Sequence, residues 1–257
     1  MCAKGEVGPM PDGAIFADTQ AEPASVYKWL DWLETQLPFP LYRVTNGSLT
    51  ENALKRRVSK EGVNYSTTDI PFFTLSEDGV KGKIPHRSCT FDYKIKPILK
   101  ELRKLAGIKR GQKEITVTSY IGISWDEWHR CKPSREAWAQ SRWPLIELRM
   151  ERRHCLEWME KNGYPKPPRS ACVYCPFHSS TEWRRLQVEE PEEFEKAVQF
   201  EKAVQKVKGT TDNFSSIPFL HRSCVPLDQI DFRSDYEMGQ MDIFAAHHGC
   251  EEGMCGV

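Results

Sequence analysis

The chain has 257 residues, enough for one large α/β domain or for one domain with a smaller appendage. Its 36 basic residues balance 36 acidic ones, so net charge argues neither for nor against a nucleic-acid partner. No run of about 18 apolar residues is present, so no membrane-spanning helix is expected, and the first residues lack the apolar core of a secretory signal. Nine cysteines, an odd number, read as reduced thiols in a cytoplasmic protein rather than as a disulfide framework.

Taken in chain order, Gly13–Thr19 is a short apolar run ending in Asp18-Thr19, the pattern of a buried strand opening into a loop. Pro23 suits a first helical turn, and Val26, Trp29, Leu30 and Leu33 follow at helical spacing. Leu41–Thr45 reads as a second strand, and strand, helix, strand in this order implies a parallel pair. Residues 47–70 are polar, with Lys55, Arg56, Arg57 and Lys60 close together, and read as a solvated helix and loop. Ile95, Ile98, Leu99, Leu102 and Leu105 predict an amphipathic helix over 92–105, and the β-branched run 114–123 predicts a strand. A helix from about Met150 closes at Gly163, and residues 180–207 read as helical, interrupted at Pro191. The last fifty residues look irregular. Alternating helices and strands predict an open, mostly parallel sheet with flanking helices, and such sheets bind ligands beyond the carboxyl ends of their strands. Asp18-Thr19 and the segment Gly122–Arg130 fall there.

The chemistry concentrates in Ser170-Ala-Cys-Val-Tyr-Cys-Pro-Phe177, where Cys172 and Cys175 stand three residues apart, with Cys89 far upstream. Two thiolates at that spacing can share one metal, form a redox pair, or be unrelated thiols. Thiolate ligands select zinc or iron–sulfur clusters over magnesium or calcium. His221-Arg-Ser-Cys224 echoes His86-Arg-Ser-Cys89. Cys2, Cys131 and Cys155 read as ordinary thiols, and Trp125 is a weak candidate to stack on an adenine.

Four segments in order resemble the phosphoadenylyl-sulfate (PAPS) reductase family of the adenine-nucleotide α-hydrolase (PP-loop) group, in particular its divergent phage-type members. Asp18-Thr-Gln-Ala-Glu-Pro23 resembles the family's Asp-Thr-Gly…Pro-Glu turn, and Cys89-Thr-Phe-Asp-Tyr-Lys-Ile-Lys-Pro97 its Cys-Cys-x-x-x-Lys-x-x-Pro segment. Ile121-Gly-Ile-Ser-Trp-Asp-Glu-Trp-His-Arg130 resembles the Gly-x-Arg…Glu-Ser…Arg segment. Trp143-Pro-Leu-Ile-Glu147 followed by Cys172-x-x-Cys175 resembles the Pro-Leu-x-x-Trp…Cys-x-x-Cys region. The resemblance implies a PAPS reductase-like α/β domain over 1–180 and a helical, irregular extension over 181–257 with a cysteine tail. The family's N-terminal strand and Ser-Gly-Gly-x-Asp-Ser-like phosphate loop have no counterpart, so a start further upstream, or a truncated copy, is expected. That strand lies in the middle of the family sheet, and its loss would leave two interior edges unpaired.

The resemblance also implies roles. Asp18, Thr19, Gly122 and Glu127 would bind an adenine nucleotide, PAPS or ATP; read alone, Asp18 is equally a helix cap and Glu127 a partner of Arg130. Lys94 and Arg130 would stabilise charge on phosphate or sulfate oxygens, or else be surface charges. Cys89, Cys172 and Cys175 match three of the four cysteines of an iron–sulfur cluster; Thr90 stands at the fourth position. The missing ligand, for a cluster or for zinc, would be Cys224, Cys250, Cys255 or a histidine. Members without a cluster attack sulfate with a cysteine on a C-terminal tail, a role open to Cys250 or Cys255. The implied reaction is thiol-dependent reduction of a sulfonucleotide to sulfite with a reductant such as thioredoxin. Two alternatives stand beside it: an ATP-dependent sulfurtransferase acting on nucleic acid, and a metal-binding module without catalysis.

Overall fold

A computed structural model of the chain describes residues 1–65, 69–83, 88–208 and 216–233. Strand β1 (Ala14–Asp18) leads into helix α1 (Ala24–Gln36) and strand β2 (Leu41–Thr45). β1 and β2 pair in parallel from Ala14↔Leu41 to Asp18↔Thr45, as expected. Next come α2 (Leu49–Leu54), a two-residue hairpin of β3 (Arg57–Val58) and β4 (Asn64–Tyr65), and then β5 (Phe73–Ser76) and β6 (Lys81–Lys83). A π-helical turn, Phe91–Ile95, runs into α3 (Lys96–Leu105). β7 (Val117–Tyr120) and β8 (Ala139–Arg142) form a second parallel pair. The short α4 (Pro144–Glu147), α5 (Arg152–Lys161), α6 (Ser180–Glu189), α7 (Pro191–Lys208) and β9 (Ser216–Phe219) complete the order. No helix among the described residues is long and apolar enough to cross a membrane.

The protein is mixed α/β, but the predicted single open sheet is corrected to four small ones among the described residues. The parallel pairs β1-β2 and β7-β8 are separate, and β3-β4 and β6-β5-β9 are antiparallel. Among the described residues, β1 and β7 therefore each keep one edge without a ladder partner. The expected strand over 114–123 shrinks to Val117–Tyr120 because its partner β8 offers only four residues. The irregular tail is also corrected: Ser216–Phe219 joins β5 with Phe219 opposite Phe73, and Pro218 is tolerated because β9 lies at a sheet edge.

Residues 47–70 are not simply a solvated stretch. Ser48 caps α2 by accepting the Glu51 N–H at 3.2 Å, a start written as Ser-x-x-Glu, and α2 buries Leu49 and Ala53. The core they enter also contains Ile70, Phe72, Val173, Tyr174, Trp183, Leu186, Val204, Leu220 and Leu227. It runs across residue 180, so the segments on either side share one apolar cluster. Each large side chain removed from water there contributes about 1.5–3 kcal/mol.

α6 ends at Glu190, whose φ of −135° and ψ of 59° leave the helical region, as expected before Pro191. α7 then presents Phe194, Ala197, Val198, Glu201, Val204 and Lys208 at helical spacing, and all are buried. Two charged groups thus sit on its apolar stripe. Burial pushes the Lys208 ammonium down from 10.5 to about 8. Because the folded state holds this proton less tightly, the penalty is full below pH 8 and disappears as the pH rises to 10.5. Wild type is expected to gain on Lys208→Met by up to about 3 kcal/mol over that window in urea unfolding. A flat difference would count against the buried ammonium.

Candidate functional site

Three segments meet at one cavity of about 60 Å³: Thr19 after β1, Cys89 to Lys94 at the π-helical turn, and Cys172 to Phe177. Local hydrogen bonds fix each. Val173 N–H donates to Ala21 O at 2.8 Å, so the Cys-x-x-Cys segment runs against the loop after β1. Cys175 N–H closes the turn on Cys172 O at 2.9 Å, and His178 Nε2 lies 3.0 Å from the same carbonyl. Burial drives the His178 imidazole down to about 3, so it is neutral at ordinary pH and Nε2 donates to that carbonyl. Cys89 N–H donates to Asp69 O at 2.9 Å, while the Asp69 carboxylate accepts Ser88 Oγ at 2.7 Å and also Asn52 Nδ2.

The sulfurs Cys89, Cys172 and Cys175 all line this cavity, together with Thr19 and Lys94. Thr19 Oγ1 lies 3.4 Å from Cys172 Sγ. Lys94 Nζ pairs at 3.4 Å with Glu22, whose side chain is 1% exposed and also accepts Ser170 Oγ at 3.2 Å. Burial, and next the Glu22 charge, push the Cys172 thiol up to about 12, against Lys94 and Thr19, which pull it down. Cys172 is therefore a neutral thiol when no metal is bound. The π-helical turn that carries Lys94 is a feature frequent at functional sites.

The remaining predicted residues lie elsewhere. Asp18 does not cap a helix, since α1 starts after Pro23; its Oδ1 accepts Gln20 N–H and Tyr27 Oη, both at 2.7 Å, and holds the turn after β1. Glu127 and Arg130 pair with each other at 2.8 Å on the 3-10 segment Trp125–Arg130, and neither lines the cysteine cavity. Gly122 precedes that segment in open space, where a Cβ would meet nothing within 4 Å. Cys224 is buried against the β5–β9 sheet, its Sγ donating to Thr74 O at 3.5 Å, and it does not line the cavity. Cys250, Cys255 and His86 lie outside the described residues.

Three soft donors round one cavity suit a thiolate-bound metal. No three His, Cys, Asp or Glu side chains among the described residues form a group that would hold a metal ion. A second cavity, of about 640 Å³, lies beyond Glu22 and Tyr174 and carries Glu192, Glu193 and Glu195. Its size suits a small molecule, but its carboxylates would repel a polyphosphate.

Glu22, Ser170 and Tyr174 escaped the sequence reading as site residues. Glu22 stands in the quoted Asp18–Pro23 segment, where a carboxylate before a helix reads as a partner of the helix dipole. Its burial beside Lys94 and Ser170 is set by two distant segments. Compared with family models, with curated proteins and with solved structures, the chain matches none.

Proposed function

We propose that the protein is a PAPS reductase-like enzyme that reduces a sulfonucleotide to sulfite with thiol electrons. The observation that carries this reading is the meeting of Cys89, Cys172, Cys175 and Lys94 at one small cavity. Two separate parallel pairs lend further support, because the family sheet without its middle strand would fall into two such pairs.

In the reaction, a cysteine thiolate attacks the sulfur of PAPS, the bond from sulfur to the phosphate oxygen breaks, and adenosine bisphosphate leaves. A donor thiol, such as thioredoxin's, then attacks the S-sulfocysteine. Sulfite departs with the bonding pair, and a second donor thiol resolves the mixed disulfide. The nucleophile would be Cys255 or Cys250, because Cys89, Cys172 and Cys175 would be taken up as ligands. Lys94 would receive the sulfo oxygens, with Glu22 and Ser170 fixing its ammonium. Cys89, Cys172 and Cys175 would hold an iron–sulfur cluster, whose binding would keep these three thiols deprotonated.

The test is sulfite release from PAPS by the full chain with a dithiol donor. Lys94→Ala is expected to lower the rate about 100-fold, and joint Cys250→Ser and Cys255→Ser substitution to abolish it. Absence of sulfite would reject the reading. About four iron and four acid-labile sulfide per chain would support the cluster, and one zinc without sulfide would reject it.

A further inference from the structure

We propose that the surface formed by Trp125, Trp128, Lys132, Arg149 and Arg152 binds single-stranded nucleic acid, its indoles stacking on unpaired bases and its cations meeting phosphates. None of these residues lines the cysteine cavity, so the inference stands independently of the reductase reading.

Trp128 is 63% exposed and Trp125 39%, whereas Trp138 and Trp183 of the same chain are almost fully buried. Two stretches build one surface here. Trp125 N–H donates to Met150 O at 2.7 Å, and Arg152 N–H donates to Asp126 Oδ1 at 3.0 Å. Arg149 sits just past α4 with φ of +53°. Its N–H donates to Ile146 O at 3.0 Å and the Met150 N–H to Leu145 O at 2.7 Å, a helix ending that favours glycine. A side chain at this position strains the backbone, yet here an arginine places its guanidinium 5.8 Å from the Trp125 ring centre.

Neighbouring carboxylates are engaged within the chain. Glu127 pairs with Arg130 at 2.8 Å, Glu151 with Arg153 at 2.7 Å, and Glu147 with Arg142. Among the described residues, Lys132, Arg149 and Arg152 make no side-chain ion pair, and all three are exposed. Exposed aromatic faces interleaved with cations match a single strand, because every base has a face to stack on and every nucleotide a phosphate. A duplex hides its base faces from indoles, and an acidic polypeptide offers charge without rings.

Binding is measured by anisotropy of a labelled oligothymidylate against a duplex of equal length, heparin and polyglutamate, over a salt series. The oligothymidylate is expected to bind at least about 10-fold tighter than the duplex, and Trp128→Ala to weaken it about 10-fold. Arg149→Gly should weaken binding and flatten the salt dependence by about 0.7 in log–log slope, while raising the melting temperature through relief of the positive φ. Equal affinity for heparin, polyglutamate or duplex, no binding, or binding unchanged in both variants would overturn the proposal.

Discussion

Replacing Glu201 by alanine is expected to cost about 4 kcal/mol and roughly 8–16 °C in melting temperature. Glu201 is 3% exposed and stands in the middle of the apolar stripe of α7. One carboxylate oxygen accepts Leu220 N–H at 2.7 Å and the other accepts Leu227 N–H at 2.8 Å. The side chain thus ties α7 to the chain end of β9 and to the loop that follows. Alanine would orphan two buried backbone donors, each costing about 1–3 kcal/mol. Glutamine keeps one acceptor and turns an amide N–H₂ toward the other donor, so Glu201→Gln should fall near the halfway point. Urea unfolding of the three proteins orders them; equal stability of wild type and Glu201→Gln would show that one oxygen suffices.

The second large effect centres on Asp69. Its carboxylate accepts Ser88 Oγ at 2.7 Å and Asn52 Nδ2, and Asn52 Oδ1 in turn accepts Arg57 Nη2 at 2.8 Å. The same negative charge favours the protonated form of buried Lys208. Asp69→Ala removes this charge from a buried ammonium and releases Ser88, the neighbour of Cys89. A loss of about 3–4 kcal/mol is expected, on the scale of breaking a buried charged pair. Maleimide labelling of Cys89 should also accelerate, while buried Cys224, held against Thr74 of β5, reacts as before. Unchanged stability together with an unchanged Cys89 rate would remove Asp69 from the support of the site.

What the sequence determined by itself is local. The apolar runs gave β1 and β2, the 3.6-residue spacing gave α1 and α3, and Pro191 set the break before α7, since each depends on neighbours a few residues away. The Cys-x-x-Cys segment was legible from its residue types, and its link to Cys89 and Lys94 from the resemblance of the Cys89–Pro97 segment to a family pattern. The tertiary structure alone decided the rest. Four-residue β9 has no strong signal of its own and exists as a strand because β5 pairs with it. Cys224 carries the same His-Arg-Ser-Cys pattern as Cys89, yet it packs against β5 while Cys89 lines the cavity, because similar short words do not fix long-range contacts. Glu22, Glu201 and Lys208 are buried because distant segments cover them. Burial of a charge is a property of what packs over it, and that information is spread along the chain rather than written beside the residue.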